Sequence, residues 1–307
     1  MKKISIVILN WNAAQDTIQC LRQFDSWQAV HVDIWVVDNA SADGSADQIE
    51  QACPGVKLIR NPQNEGFSGG TNRGIQSALA QGDAPILLLN NDASVDETAL
   101  ATLYDTLQSK PTIGIVGPLL YRTDDQQLIV AGSKNPVWHL HNQILSIPKD
   151  GKPYRVDYIS GSVALIRAEL LRSVGLLDED YFFYTEIADL CRRARNKGFD
   201  TIIDPAARAY HNLERSSDLR STLYIYYIIR NRFVYIRKAY GALGFPLTAF
   251  WMIYSALLAF KLQMEGKRAT ASAVWMGLSD GLRGRSGGQN ERILRITQQI
   301  KTGVAAL

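Results

Sequence analysis

The sequence predicts an α/β fold, a doubly wound and mostly parallel sheet followed by a helical, basic carboxyl-terminal extension. Aliphatic runs alternate with helix-patterned segments through the first half. Two of those runs end directly in acidic and amide residues, Trp35-Val36-Val37 in Asp38-Asn39 and Ile86-Leu87-Leu88-Leu89 in Asn90-Asn91-Asp92. Nearly continuous aliphatic runs read as strands buried on both faces, and ligands of open α/β sheets gather beyond the carboxyl ends of such strands. Charge is the third observation: 18 basic and 25 acidic residues precede or include Asp204, whereas 15 basic and 5 acidic residues follow it. A chain of 307 residues can bury one large core and still form a second unit. The expected division is 1–215 for the sheet domain and 216–307 for the basic, aromatic helical region.

The elements follow in order. Met1-Lys2-Lys3 looks like a signal-peptide start, but the apolar run stops at Leu9 against Asn10-Trp11-Asn12, so Ile4 to Leu9 is the first strand. Helix Ala14 to Trp27, strand His31 to Val37, helix Ser45 to Cys53, strand Val56 to Ile59, helix Ser68 to Gln81, strand Pro85 to Leu89 and helix Glu97 to Ser109 complete a βαβα rhythm. Ser94 with Glu97 three residues on reads as a capping box. From Ile113 the strands shorten. Asn135 to Pro153 reads as an irregular, cleft-shaping loop, Val156 to Ser160 as a strand, and helices are expected from Ala168 and over Glu186 to Lys197, ended by Gly198. Cys20, Cys53 and Cys191 are odd in number and lack metal or redox spacing, which fits structural thiols in a reducing cytoplasm.

The carboxyl-terminal third interleaves Tyr224, Tyr226, Tyr227, Tyr235 and Tyr240 with Arg230, Arg232, Arg237 and Lys238, and no charge falls within 239–260. Gly241, Gly244 and Pro246 break the start of that run, while Leu247, Phe250, Trp251, Tyr254, Leu257 and Leu258 recur at helical spacing. Flanking basic clusters fit a helix lying in the headgroup region of an anionic membrane surface. A core or homo-oligomer contact and a true span are the alternatives, since about 20 apolar residues suffice to cross a bilayer. No nucleic-acid module is visible, so nucleic acid is not an expected partner.

Four motifs carry chemistry. Asp38, in Asp38-Asn39-Ala40-Ser41, either accepts hydrogen bonds from a nucleobase or ribose or caps a turn. Asp92 offers a hard oxygen ligand of the kind that Mg²⁺ takes one or two of beside phosphate oxygens, or it caps a strand end. The stretch Asn64-Glu65-Gly66-Phe67-Ser68-Gly69-Gly70-Thr71-Asn72 lets backbone approach a ligand at a helix start, yet it is neither a dinucleotide nor a P-loop fingerprint. This disfavours a Rossmann oxidoreductase or a kinase. Glu186 and Asp189 lie three apart on one helical face, as an acid–base pair or as a pair favoured by the helix dipole.

Ile4 to Asn12, Val36 to Ser41, the Asn64-x-Gly66-Phe67 loop and Leu88 to Asp92, in this order, resemble the nucleotide-sugar-binding half of the family 2 glycosyltransferases, which have the GT-A fold. The Asp-Asn-Ala-Ser variant is most similar to the bacterial rhamnosyltransferase-like branch, and the likeness runs on through Tyr158 to Ser162 and Tyr181 to Arg193. The resemblance implies inverting transfer of rhamnose or a similar hexose from a nucleotide diphosphate donor to a hydroxyl of a bacterial surface polysaccharide or lipid-linked acceptor. The work would be done at the inner face of the plasma membrane. It implies donor contacts from Asn10, Asn12, Asp38, Asn39, Asn64, Gly66, Phe67, Asn72, Asn91 and Gly161. It also implies Mg²⁺ or Mn²⁺ at Asp92, with His211 close by. Where such enzymes carry the Asp taken as general base, this chain has Ile187, so Glu186 is the expected base with Asp189 as partner or replacement. The rival expectation from Ile187 is a nucleotide-sugar-binding pseudoenzyme that serves as a scaffold.

Overall fold

The computed structural model describes residues 2–212 and 220–302, so the expected boundary between 215 and 216 lies outside the described residues. The chain forms two compact units. The first holds β1 (Lys2–Asn10), α1 (Ala14–Arg22), β2 (Val30–Asp38), α2 (Ser45–Ala52), β3 (Lys57–Arg60), α3 (Gly66–Ala80), β4 (Ile86–Asn90), β5 (Ala93–Val95), α4 (Glu97–Ser109), β6 (Ile113–Arg122), β7 (Leu128–Val130), β8 (Tyr154–Arg155), β9 (Val163–Ile166), α5 (Ala168–Val174), β10 (Asp200–His211) and, beyond its first residue, α6 (Glu186–Asn196).

One sheet runs β3-β2-β1-β4-β9-β6-β10-β5, with β7 beside β6 and β8 beside β10. Strands β3, β2, β1 and β4 are parallel, β9 is antiparallel to β4 and β6, and β10 runs parallel to β6. Alternation along β1 puts Ile4, Ile6 and Ile8 into one core and Val7 into the core on the opposite face. Register pairs Asn10 with Asp38 and Leu9 with Asn90, so the polar residues that end these runs arrive at one edge of the sheet. Helix α3 packs closely there. A Cβ at Gly70 would lie 2.5 Å from Leu9 Cδ1, and one at Gly74 2.5 Å from Val7 Cγ1.

Three local expectations change. Helix α1 ends at Arg22 rather than Trp27, where successive tight turns bring Phe24 and Trp27 edge to face at 4.7 Å. The cap of α4 is Asp96, which accepts from Ala99 N, instead of Ser94. Glu97 reaches away from its own helix and accepts from the backbone N–H groups of Gln28, Ala29 and Val30, bonds that hold its carboxyl below the usual range. The expected strand from Val156 is instead β8. The chain leaves β10 after Val156, and Tyr158 then bridges to Ser133. Cys20 and Cys191 are buried thiols pushed up by desolvation to about 12 and about 11, and Cys53 is half-buried and also raised.

The second unit gathers 136–140, 179–186 and the described residues of the carboxyl-terminal region. Its helices are α7 (Ile225–Tyr240), α8 (Phe245–Met264), α9 (Arg268–Arg283) and α10 (Asn290–Thr302). The run Thr222–Met264 is long and apolar enough, by length and composition, to cross a membrane. The six-residue face expected on α8 is not a single face. Trp251 turns inward at 1 % exposure, donating to Val137 O at 2.9 Å with the Arg232 guanidinium 3.9 Å over its ring, and it forms a buried seam with Ser255 and Ala259. Ile253, Leu257, Phe260 and Met264 instead form an exposed stripe.

Candidate active site

The site residues of the first unit sit at the carboxyl ends of β1, β2 and β4 and at the end of β10. Buried Asn10 donates from Nδ2 to Asp38 Oδ1 at 2.7 Å and accepts at Oδ1 from Thr17 Oγ1 at 2.8 Å. Asp38 also accepts from Ser41 N at 3.0 Å and Ser41 Oγ at 2.6 Å, and Asn12 N donates to the same Oγ at 2.9 Å. Asp38 is thus a buried anchor that shapes the 38–41 turn. Backbone strain marks the place: Asn12 and Ala40 both have left-handed φ, 51° and 59°.

Asn39 fastens the next loop. It donates from Nδ2 to Asn64 Oδ1 and Gly66 O, both at 3.0 Å, and accepts from Asn61 Nδ2 and Glu65 N. Asn64 in turn accepts from Gly66 N, and Gly66 takes φ 72°, open to glycine at little cost. Phe67 packs half-buried on the core beside this turn. The Asn72 amide makes a two-point bond with the backbone of Leu177, at 2.9 and 3.0 Å, and so tethers the 177 segment to α3. Asn91 donates to Thr17 Oγ1 at 3.0 Å and so belongs to the wall that Asn10 and Thr17 build.

Asp92 and His211 come together across 119 residues of chain. Antiparallel pairing of β5 with β10 sets His211 opposite Ala93, and His211 Nε2 lies 2.9 Å from Asp92 Oδ1. Both side chains remain partly open, at 13 % and 22 % exposure for His211 and Asp92. Asn90 Nδ2 and Ser162 Oγ flank the imidazole at 3.5 Å, and these two hydrogen-bond to each other at 3.3 Å. Among the described residues, no group of three or more His, Cys, Asp and Glu side chains gathers as a closed cage. A carboxylate beside an imidazole, with room for further ligands, still fits Mn²⁺ or Mg²⁺, because such ions complete their shells with phosphate oxygens and water.

Gly161 faces Ile187, whose Cγ1 would lie 2.9 Å from a Cβ placed there. Ile187 is buried in the apolar core, and the helix it sits on begins one residue earlier at Glu186. Glu186 is 6 % exposed, its Oε2 has no hydrogen-bond partner, and desolvation pushes its carboxyl up to about 7 against backbone N–H groups of Glu186 and Tyr184. Asp189 is different: it is fully buried and gripped by Arg192 at 2.8 Å and Arg193 at 2.7 Å. Arg193 also binds the carbonyls of Val174 and Leu176, so the Asp189 carboxylate helps to hold that loop in place. Sequence reading missed Thr17, Ser41 and Ser162. A polar residue on the apolar face of α1, between Ala14 and Ile18, was the one visible signal for Thr17.

Residues 5–175 match the family described as Glycosyl transferase family 2. A low-salt glycan biosynthesis hexosyltransferase of Haloferax volcanii is 26 % identical over 92 % of this chain and 92 % of its own. An N-acetylglucosaminyl-diphospho-decaprenol L-rhamnosyltransferase of Mycobacterium tuberculosis is 28 % identical over 61 % of this chain and 68 % of its own. The solved mannosyltransferase of Pyrobaculum calidifontis, in complex with GDP-Man and Mn²⁺, shares the fold at a TM-score of 0.57 and 14 % identity, over 91 % of this chain and 86 % of that one.

Proposed function

Because the chain belongs to glycosyl transferase family 2, we propose that it transfers a hexose, rhamnose foremost, from a nucleotide diphosphate donor to a hydroxyl of a surface glycan or lipid-linked acceptor, with inversion at the anomeric carbon. The observation that carries this reading is the Asp92–His211 pair at the edge of the sheet where Asn10, Asp38 and Asn90 also end. Relatives supply the finer words: one is by name a rhamnosyltransferase on a lipid diphosphate, and the mannosyltransferase was solved with a nucleotide diphosphate sugar and Mn²⁺.

In the proposed reaction the turn built by Asp38, Ser41 and Asn12 presents backbone to the nucleoside, and the Asn39–Asn64–Gly66 loop bounds the donor. Asp92 and His211 would hold a divalent cation, which as a Lewis acid neutralises the leaving diphosphate. Glu186 accepts the proton of the acceptor hydroxyl as that oxygen bonds to the anomeric carbon and the bond from that carbon to the phosphate oxygen breaks. A base with a pKa near 7 combines adequate basicity with substantial ionisation at neutral pH. The exposed stripe of α8 and the basic tail support a peripheral seat of the 216–307 region on the inner face of the plasma membrane.

A panel of nucleotide sugars with Mg²⁺ or Mn²⁺, read by thermal shift and by release of nucleoside diphosphate, tests this. One donor should stabilise the protein in a metal-dependent way, and Asp92→Asn should abolish that stabilisation. No donor shift at all would overturn the assignment. A second reading rests on Ile187, which packs in the apolar core at the position where the family resemblance implies a base. If a donor binds without turnover, and Ile187→Asp gains turnover that the parent lacks, the chain is a donor-binding scaffold.

A further inference from the structure

We propose that Arg230 and Asn231, neighbours on α7, are positioning residues for Glu186: they clamp the carbonyls of the 180–184 segment and so fix the turn from which Glu186 emerges. The inference rests on the reading of Glu186 as base. Three left-handed residues crowd this turn, Phe182 at φ 61°, Tyr184 at 74° and Thr185 at 84°, and none is glycine. Left-handed backbone is costly for residues that carry a Cβ, so surrounding contacts must hold the conformation in place. The contacts are present. Asn231 Nδ2 donates to the carbonyls of Tyr181, Phe183 and Tyr184, at 3.1, 2.8 and 2.5 Å. Arg230 donates to Asp180 O at 3.2 Å, Tyr181 O at 2.7 Å and Gly287 O, and from Nε to Asn231 Oδ1 at 2.8 Å.

Both side chains are fully buried. A guanidinium taken from water to bind carbonyls is a costly way to pack a helix that an aliphatic residue could pack as well. Its charge is not needed to balance Asp280, which already binds the Tyr226 hydroxyl at 2.7 Å, Arg285 at 3.2 Å and Arg292. The faces of Tyr227 and Tyr226 lie 4.8 and 5.7 Å from the Arg230 guanidinium, Phe182 stacks on Tyr227 at 5.5 Å, and Lys238 pairs with Asp180 at 2.6 Å. The product of all this fixing is a backbone N–H at Tyr184 aimed at the Glu186 carboxylate, whose Oε2 is left without a partner.

The test compares Asn231→Ala and Arg230→Lys with the parent in full transferase assays. A positioning role requires kcat to fall at least tenfold with the donor KM within twofold, and the acid limb of the kcat–pH profile to move by half a pH unit or more. Parental kcat overturns it, as does a fall in kcat with an unmoved acid limb, which is what loosened packing alone would give. Should Arg230→Lys fail to fold, Asn231→Ala decides by the same readings. Parental turnover in Glu186→Gln would instead sink the base assignment itself, whereas an inactive Glu186→Gln beside an unaffected Asn231→Ala sinks only the positioning role.

Discussion

Glu186 shows how one buried side chain ties activity to stability. Its carboxyl goes from an ordinary 4.5 to about 7 because burial disfavours the charged form. The folded chain therefore binds this proton more tightly than the unfolded chain does. The stabilisation is fully present below pH 4.5 and is lost as pH rises through 7, at about 1.4 kcal/mol per pH unit and about 3 kcal/mol in all. Glu186→Gln, which mimics the neutral form, should raise Tm at pH 8 and leave it near parental at pH 4.5. The same change should lower kcat by about 10²- to 10⁴-fold, the usual reach of a general base. In the parent, kcat should climb with pH to a plateau above about 7. Unequal Tm gains at the two pH values together with a collapsed kcat would be read from scanning calorimetry and steady-state rates on one pair of proteins.

At the scale of the element, α3 succeeds because it starts with little side chain. Gly70 and Gly74 lie against Leu9 and Val7 of β1, so Gly74→Ala must displace Val7 and should cost about 1–3 kcal/mol in chemical denaturation. Burial of Trp251 in the seam of α8 predicts a larger loss, about 3–5 kcal/mol, for Trp251→Ala. Element by element, the sequence was legible where the signal was local. Aliphatic runs marked β1, β2 and β4, and the polar residues ending them marked the edge at which Asp38 and Asp92 lie. What stayed hidden depended on partners far along the chain. Asn72 looked like part of a glycine-rich donor loop, but its partner Leu177 lies 105 residues away. Asp189 looked like half of an acid pair, and only the folded helix turns Arg192 and Arg193 onto it. The inward side of α8 is hidden from local sequence for the same reason, since it is set by a carbonyl at Val137, 114 residues earlier.

For the whole molecule, an acidic first two-thirds and a basic last third make one chain with opposed charge preferences. Vesicles containing anionic lipid should bind the protein more tightly than neutral vesicles do, with the difference fading by roughly 0.5 M salt as screening shortens. Leu257→Asp with Phe260→Asp on the exposed stripe of α8 should weaken vesicle binding at least tenfold while the donor-induced thermal shift stays parental; sedimentation with vesicles reads the first and the melting curve the second. The three thiols add a practical property of the molecule as a reagent. Two lie sealed in the interior, and Cys53, at the end of α2, is the one that solvent reaches. At pH 8 to 8.5 a maleimide dye should therefore couple once, without mutation, and give the molecule a single fixed label.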